Sequence, residues 1–135
     1  MKKSFAFILL LFFVSQFSYS TTLSNVLVLD NDSVYEQFDV APEFEGGIEG
    51  LMKFVKENIT YPEEAKAKEE TARLFVEFVV DKSGQVRDPQ FKRKDKKYFE
   101  REVLRVISKM PNWKPGLKNG EKVNGKVVLP ITFKL

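Results

Sequence analysis

The sequence predicts an α+β fold: a small three-stranded antiparallel sheet, in the order strand–strand–helix–strand, with helices packed on one face. Two patterns carry this prediction. Apolar residues alternate with polar or small ones over 72–80 and 125–135, which is the period of strands. Apolar residues instead recur every three or four positions over 48–59 and 99–110, which is the period of amphipathic helices. With 135 residues, 43% of them hydrophobic, the chain has room for one small domain with its own core.

The N-terminus has the pattern of an export signal. Lys2 and Lys3 precede an unbroken apolar run from Phe5 to Val14, and the small residues Ser18 and Ser20 follow it. The run is about half of the ~20 residues that span a bilayer, so an uncleaved membrane anchor is the weaker alternative. The predicted organisation is a signal peptide over 1–20, an N-terminal arm over 21–41 and a folded domain over 42–135.

The first helix is predicted over Ile48 to Asn58, after the Gly46-Gly47 pair. Its apolar stripe is expected to face the core, because a small domain needs every such stripe. The members of this stripe of the first helix are Ile48, Leu51, Met52, Val55 and Ile59.

A short second helix should begin at Pro62, whose missing amide hydrogen is not needed at a helix start.

The middle of the chain predicts a hairpin followed by a helix. The strand from Ala72 to Val80 is partly apolar on both faces and should be central, and residues 81–84 have turn chemistry. A second strand over 85–91 is weakened by Pro89 and should lie at an edge. Asp95 is expected to cap the third helix, which Pro111 ends.

The clearest strand is the C-terminal one, from Gly125 to Leu135. Pro130 lies in its middle and cannot donate to a hydrogen-bond ladder, so the strand should lie at a sheet edge or carry a bulge. Such an edge either accepts an extended peptide as a further strand or is a protected edge that avoids aggregation, and the residues alone favour neither. The candidate partner-binding residues are Val127, Val128, Leu129, Pro130, Ile131, Thr132 and Phe133.

The residue inventory argues against an enzyme. The chain has no His and no Cys, so the common general base, the common zinc ligands and the thiol nucleophile are missing, and no disulfide is possible. The Glu63-Glu64 and Glu69-Glu70 pairs are adjacent in sequence and are best explained as solvated surface. We predict no metal, no cofactor, no catalytic residue and no small-molecule substrate.

Basic residues recur every four positions on one face of the third helix. An exported protein argues against nucleic-acid binding, which leaves an anionic membrane surface or, preferably, a solvated face that steers an acidic partner. The possible anionic-surface contacts are Lys97, Arg101, Arg105 and Lys109.

Seven stretches, in order over 42–135, resemble the C-terminal domain of TonB, the energy transducer of double-membraned bacteria, in its short exported form. These are Pro42-Glu43-Phe44 with Gly46-Gly47, Tyr61-Pro62-Glu63-Glu64-Ala65, Phe78 to Val86, Phe99 to Val103, Trp113-Lys114-Pro115-Gly116, Asn119-Gly120 and Leu129 to Phe133.

The resemblance implies a periplasmic protein-binding module linked to TonB-dependent transport. In the family the last strand recruits the N-terminal segment of an outer-membrane receptor by strand addition, which here implies a role for residues 127–133. The alternative is a structural or regulatory envelope protein without energy transduction, either a homodimer through the edge strand or a membrane-surface binder. The resemblance makes Tyr61, Pro62, Gly84, Trp113, Pro115 and Gly116 structural.

Overall fold

The computed structural model describes residues 32–135, and the predicted signal peptide and the arm up to residue 31 lie outside this part. The elements in chain order are β1 (Val34–Tyr35), α1 (Gly47–Asn58), α2 (Glu63–Ala67), β2 (Ala72–Val80), β3 (Val86–Phe91), α3 (Lys97–Ser108), β4 (Gly116–Lys118) and β5 (Glu121–Phe133). The predicted α+β class is confirmed.

The sheet has the strand order β1-β5-β2-β3. Strand β2 is central, as its two partly apolar faces predicted, and it runs antiparallel to both β3 and β5. These three strands are the predicted sheet, but the strand count differs. Strand β4 forms a hairpin with β5, and β1, from the segment predicted as an arm, pairs with β5 in parallel at Asn124 and Gly125.

The helices cover one face of the sheet and enclose the core. The alternation along β2 puts every second side chain on the helix side, and α3 presents Phe99, Val103 and Ile107 to it. The other core residues from the sheet and loops are Phe44, Leu74, Val76, Phe78, Val80, Trp113, Leu129, Ile131 and Phe133.

Two local predictions are wrong. In α1 the predicted stripe buries Leu51, but Met52 is 59% exposed and Ile48 is 70% exposed, because only part of the stripe meets the sheet. Asp95 does not cap α3, whose N-cap is Lys96 without a side-chain cap hydrogen bond. The Asp95 amide instead donates to Glu100 Oε1 at 2.7 Å, so the first turn of the helix holds the preceding loop.

Candidate functional site

Strand β5 has a free edge over residues 126–133. On one side it pairs with β2 from Gly125 to Phe133, and on the other side β1 covers only Asn124 and Gly125. Within residues 32–135, no strand pairs with the rest of that outer side. The strand in which Pro130 predicted an edge is therefore an edge strand over its C-terminal half.

The pairing with β2 fixes which backbone groups of β5 face outwards. Pro130 lies opposite Phe75, whose carbonyl accepts the Lys92 amide at 3.0 Å on the β3 side. Since the N–H and C=O of one strand residue point the same way, this pair is not hydrogen-bonded, and Pro130 directs its backbone outwards. Alternate residues do the same, so Val128 and Thr132 offer both a donor and an acceptor, while Pro130 offers only its carbonyl.

A groove of about 600 Å³ runs between this free edge and α1. Leu129 and Ile131 are buried and supply its floor. Its helix wall consists of residues at i, i+1, i+3, i+4 and i+7, which is one face of a helix. The lining residues are Met52, Lys53, Val55, Lys56, Ile59, Leu129, Pro130, Ile131 and Thr132.

The groove is apolar inside and positively charged at its rim. Its lining includes two lysines and no carboxylate. Lys53 lies 3.9 Å from Glu57, with both side chains largely exposed, so the attraction is weak. For Lys56, the part of the chain described here offers no carboxylate within ion-pair distance. The site therefore suits a segment that is apolar and acidic rather than basic.

A segment that precedes α1 covers β5 just before its free edge begins. We call residues 33–43 the strap: it contributes β1 and then pairs with the β4 region through Val40–Leu117 and Glu43–Lys114 bridges. At the junction Lys126 Nζ lies 2.6 Å from Glu36 Oε1 and 3.3 Å from Glu77 Oε1. The hydrogen bond to Glu36 and, to a lesser extent, the one to Glu77 raise the pKa of Lys126.

Glycines let the strap lie directly on the hairpin. A Cβ on Gly125 would lie 2.7 Å from Pro42 Cγ and 2.9 Å from Phe38 Cε1. A Cβ on Gly116 would lie 3.1 Å from both Phe38 Cδ1 and Pro42 Cδ. The strap is therefore a packed part of the domain, and it limits the free edge to residues beyond Gly125.

The basic stripe of α3 is partly used inside the molecule. Arg105 donates from Nε to Glu102 Oε2 at 2.9 Å and from Nη2 to the Asn58 carbonyl at 2.6 Å. Glu102 in turn accepts the Thr60 amide at 2.6 Å. This pair fastens the C-terminus of α1 to α3.

The remaining stripe residues are more exposed. Arg101 reaches Glu64 at 3.4 Å, whereas Lys97 and Lys109 make no ion pair to any residue of 32–135. Two of the four predicted surface contacts thus have internal partners.

The two residues Gly84 and Trp113 join the β2–β3 turn to the segment before β4. The Trp113 amide donates to the Gly84 carbonyl at 2.8 Å, and the Trp113 ring packs edge-on against Phe44 and Phe78. Gly84 has φ +87°, a conformation that favours glycine. Pro115 is half-buried and leads into β4.

Tyr61 and Pro62 organise the entry to α2. Pro62 is the N-cap of α2, so the helix begins at Glu63, one residue later than predicted. The Tyr61 hydroxyl donates to the Glu70 carbonyl, and its ring lies edge-on to Phe99 and Phe133. These contacts tie the helix entry to the end of β5.

Sequence reasoning placed the edge strand but missed the helix wall of the groove. The signal that could have found it is the width of the apolar arc on α1. Leu51, Phe54 and Val55 suffice to pack the helix, so Ile48 and Met52 lie on its flank and stay exposed.

Residues 32–135 contain neither a bilayer-spanning helix nor a cluster of metal ligands. None of the helices there is both long and apolar enough to cross a bilayer. The same stretch contains no cluster of three or more carboxylates placed to hold a metal ion.

Residues 57–135 match the family model of the Gram-negative bacterial TonB protein C-terminal. The matched region contains β2 to β5, whereas the strap and most of α1 precede it. The solution NMR structure of the Pseudomonas aeruginosa TonB CTD is similar at 26% identity, covering 57% of this chain and 78% of that chain with a TM-score of 0.47. A search of curated proteins finds no match.

Proposed function

Because the chain belongs to the family of the Gram-negative bacterial TonB protein C-terminal, we propose that it is a periplasmic protein-binding module linked to TonB-dependent transport. Its partner is the N-terminal segment of an outer-membrane receptor, which docks in an extended conformation as a further strand on β5. The observation that carries this proposal is the free edge of β5 over residues 126–133.

Strand addition needs unpaired backbone groups that a partner can reach. Val128 and Thr132 supply donors and acceptors at a spacing of four residues, and Pro130 supplies an acceptor between them. Backbone hydrogen bonds at such an edge provide affinity, and the side chains beside it provide selectivity. Residues Val127 to Phe133 are therefore the proposed docking strip.

The open sheet face beside the strip favours the same use. Val128 is 42% exposed, and Phe75 on the neighbouring strand is also exposed, with the Arg73 guanidinium 5.2 Å from its ring centroid. Every second side chain of an added strand would point to this face and contact its apolar surface. A second copy of β5 would meet the same surface, so a homodimer through the edge is the alternative occupant.

Titration of the ¹⁵N-labelled protein with synthetic N-terminal segments of candidate receptors tests the proposal. We expect the amide shifts to change along 127–133 and to leave the β4 hairpin unchanged. Val128→Pro removes an outward donor without touching the pairing with β2, so it should abolish binding. Val128→Thr keeps the donor and serves as the control.

The proposal is wrong if no segment perturbs residues 127–133, or if Val128→Pro binds as well as Val128→Thr. Sedimentation over a concentration series separates the alternative: a dimer that forms without peptide and is lost in Val128→Pro assigns the edge to self-association.

A further inference from the structure

We propose that α1 is the wall of the docking site that reads the partner's side chains: Met52 holds an apolar side chain, and Lys56 binds a carboxylate two residues away in the same segment. This inference rests on the proposed function and explains which partner segments the docking site would prefer. It concerns a helix that lies almost entirely outside the family match.

The exposure of Met52 is the first observation. A methionine that is 59% exposed, on a helix that packs against the core through Leu51, leaves apolar surface unburied. Met52 and Ile59 both line the groove, where Leu129 and Ile131 form the floor. A flexible thioether suits such a place because it adapts to different apolar side chains.

The second observation is a match of spacings. An extended segment added to β5 would point every second side chain towards α1, and such side chains lie about 6.5–7 Å apart. Met52 and Lys56 are four residues apart on α1, which is about 6 Å along the helix axis. Where the added segment runs along α1, an apolar side chain beside Met52 therefore brings the residue two positions along beside Lys56.

The third observation is the charge of the rim. Lys53 and Lys56 are its only charged lining residues, and within residues 32–135 the one carboxylate at ion-pair distance from either is Glu57, 3.9 Å from Lys53. No carboxylate of residues 32–135 pairs with Lys56. A carboxylate on the partner would find an available ammonium group there, whereas a lysine or arginine would be repelled.

Selection from a random nonapeptide library displayed on phage tests the inference on the whole protein. Wild type, Lys56→Glu and Lys122→Glu are used in parallel. Lys122 is exposed on the β4–β5 hairpin, so its substitution changes net charge equally but lies away from the groove. We expect wild type and Lys122→Glu to enrich peptides with Asp or Glu two residues from an apolar residue, and Lys56→Glu to enrich Lys or Arg there.

Affinities of one selected peptide give the second measurement. Replacing its Glu by Gln should weaken binding to wild type about 2- to 5-fold, as expected for an exposed ion pair, and should not weaken binding to Lys56→Glu. Met52→Ala should weaken it about 5-fold or more. Both side chains are exposed, so unchanged urea midpoints should show that the variants fold.

The outcomes separate this inference from the proposed function. Peptides that shift residues 127–133 but show no acidic preference, or the same preference with Lys56→Glu, overturn the role of α1 and leave strand addition standing. Selected peptides that do not shift residues 127–133 overturn both.

Discussion

Pro130 of β5 lies directly opposite Phe75 of β2, in a pair whose backbone groups point away from each other. The proline costs the sheet no hydrogen bond, since the donor it lacks would have faced outwards. It removes one donor from the free edge instead, between Val128 and Thr132. An edge interrupted in this way is a poorer template for uncontrolled pairing between copies.

Replacing Pro130 by valine should make the protein self-associate. The substitution restores the outward N–H and adds a β-branched residue with high strand propensity, so two edges can pair without a gap. Sedimentation velocity over a range of concentrations should show a dimer at concentrations where wild type is monomeric. Thr132→Val, which adds apolar surface but no donor, is the control, and equal behaviour of the two variants would refute the role of the missing donor.

Gly84→Ala should destabilise the protein by at least about 2 kcal/mol, because it combines a positive φ with a steric clash. A Cβ there would lie 2.1 Å from the Trp113 carbonyl oxygen, so the turn and the Trp113 segment must separate. Urea unfolding measures the loss.

The matched control is Gly120→Ala. Gly120 has φ +77°, but beyond its chain neighbours no atom lies within 4 Å of the added Cβ, so it isolates the backbone term of about 1 kcal/mol. Equal losses of stability in the two variants would mean that the clash with the Trp113 carbonyl adds nothing to the cost of Gly84→Ala.

Stability should fall in acid partly through Glu102. The Arg105 hydrogen bond, opposed by burial and assisted by the Thr60 amide, holds the pKa of Glu102 below its usual range. A carboxyl whose pKa is lower in the folded state stabilises the fold above its unfolded pKa, about 4.3, and this contribution is lost as pH falls through the folded value.

Glu102→Gln should therefore lower the free energy of unfolding at pH 7, and its stability should fall less than that of wild type between pH 7 and pH 3. Urea unfolding at both pH values gives the comparison. Glu63→Gln, on the exposed side of α2, is the control. A variant with the wild-type pH dependence would show that Glu102 does not carry the effect.

Gly125→Ala should loosen the strap while leaving the rest of the fold in place. The added methyl group would overlap Pro42 and Phe38, which can move only if the strap lifts from the hairpin. Hydrogen exchange should then accelerate at residues of the strap, such as the Asp39 and Val40 amides that donate to the Leu117 carbonyl. Unchanged protection of these amides, with β2 and β5 equally protected in both proteins, would contradict the close packing of the strap on Gly125.

The sequence by itself determined the α+β class, the central position of β2 and the edge character of the C-terminal strand. Each of these follows from a local pattern: a period of two, an apolar second face, and a proline that cannot donate. The structural contacts of Gly84 and Trp113 were also accessible, but only as members of a motif, since nothing near Gly84 in sequence names its partner.

Only the tertiary structure decided what surrounds the edge. It placed α1 beside β5 with Met52 and Lys56 towards the groove, added the strap that ends the free edge at Gly125, and gave Arg105 an internal carboxylate. The physical reason is that periodicity identifies an apolar face but not which part of it a neighbour covers. That choice depends on contacts between residues far apart in the chain, such as Glu36 with Lys126.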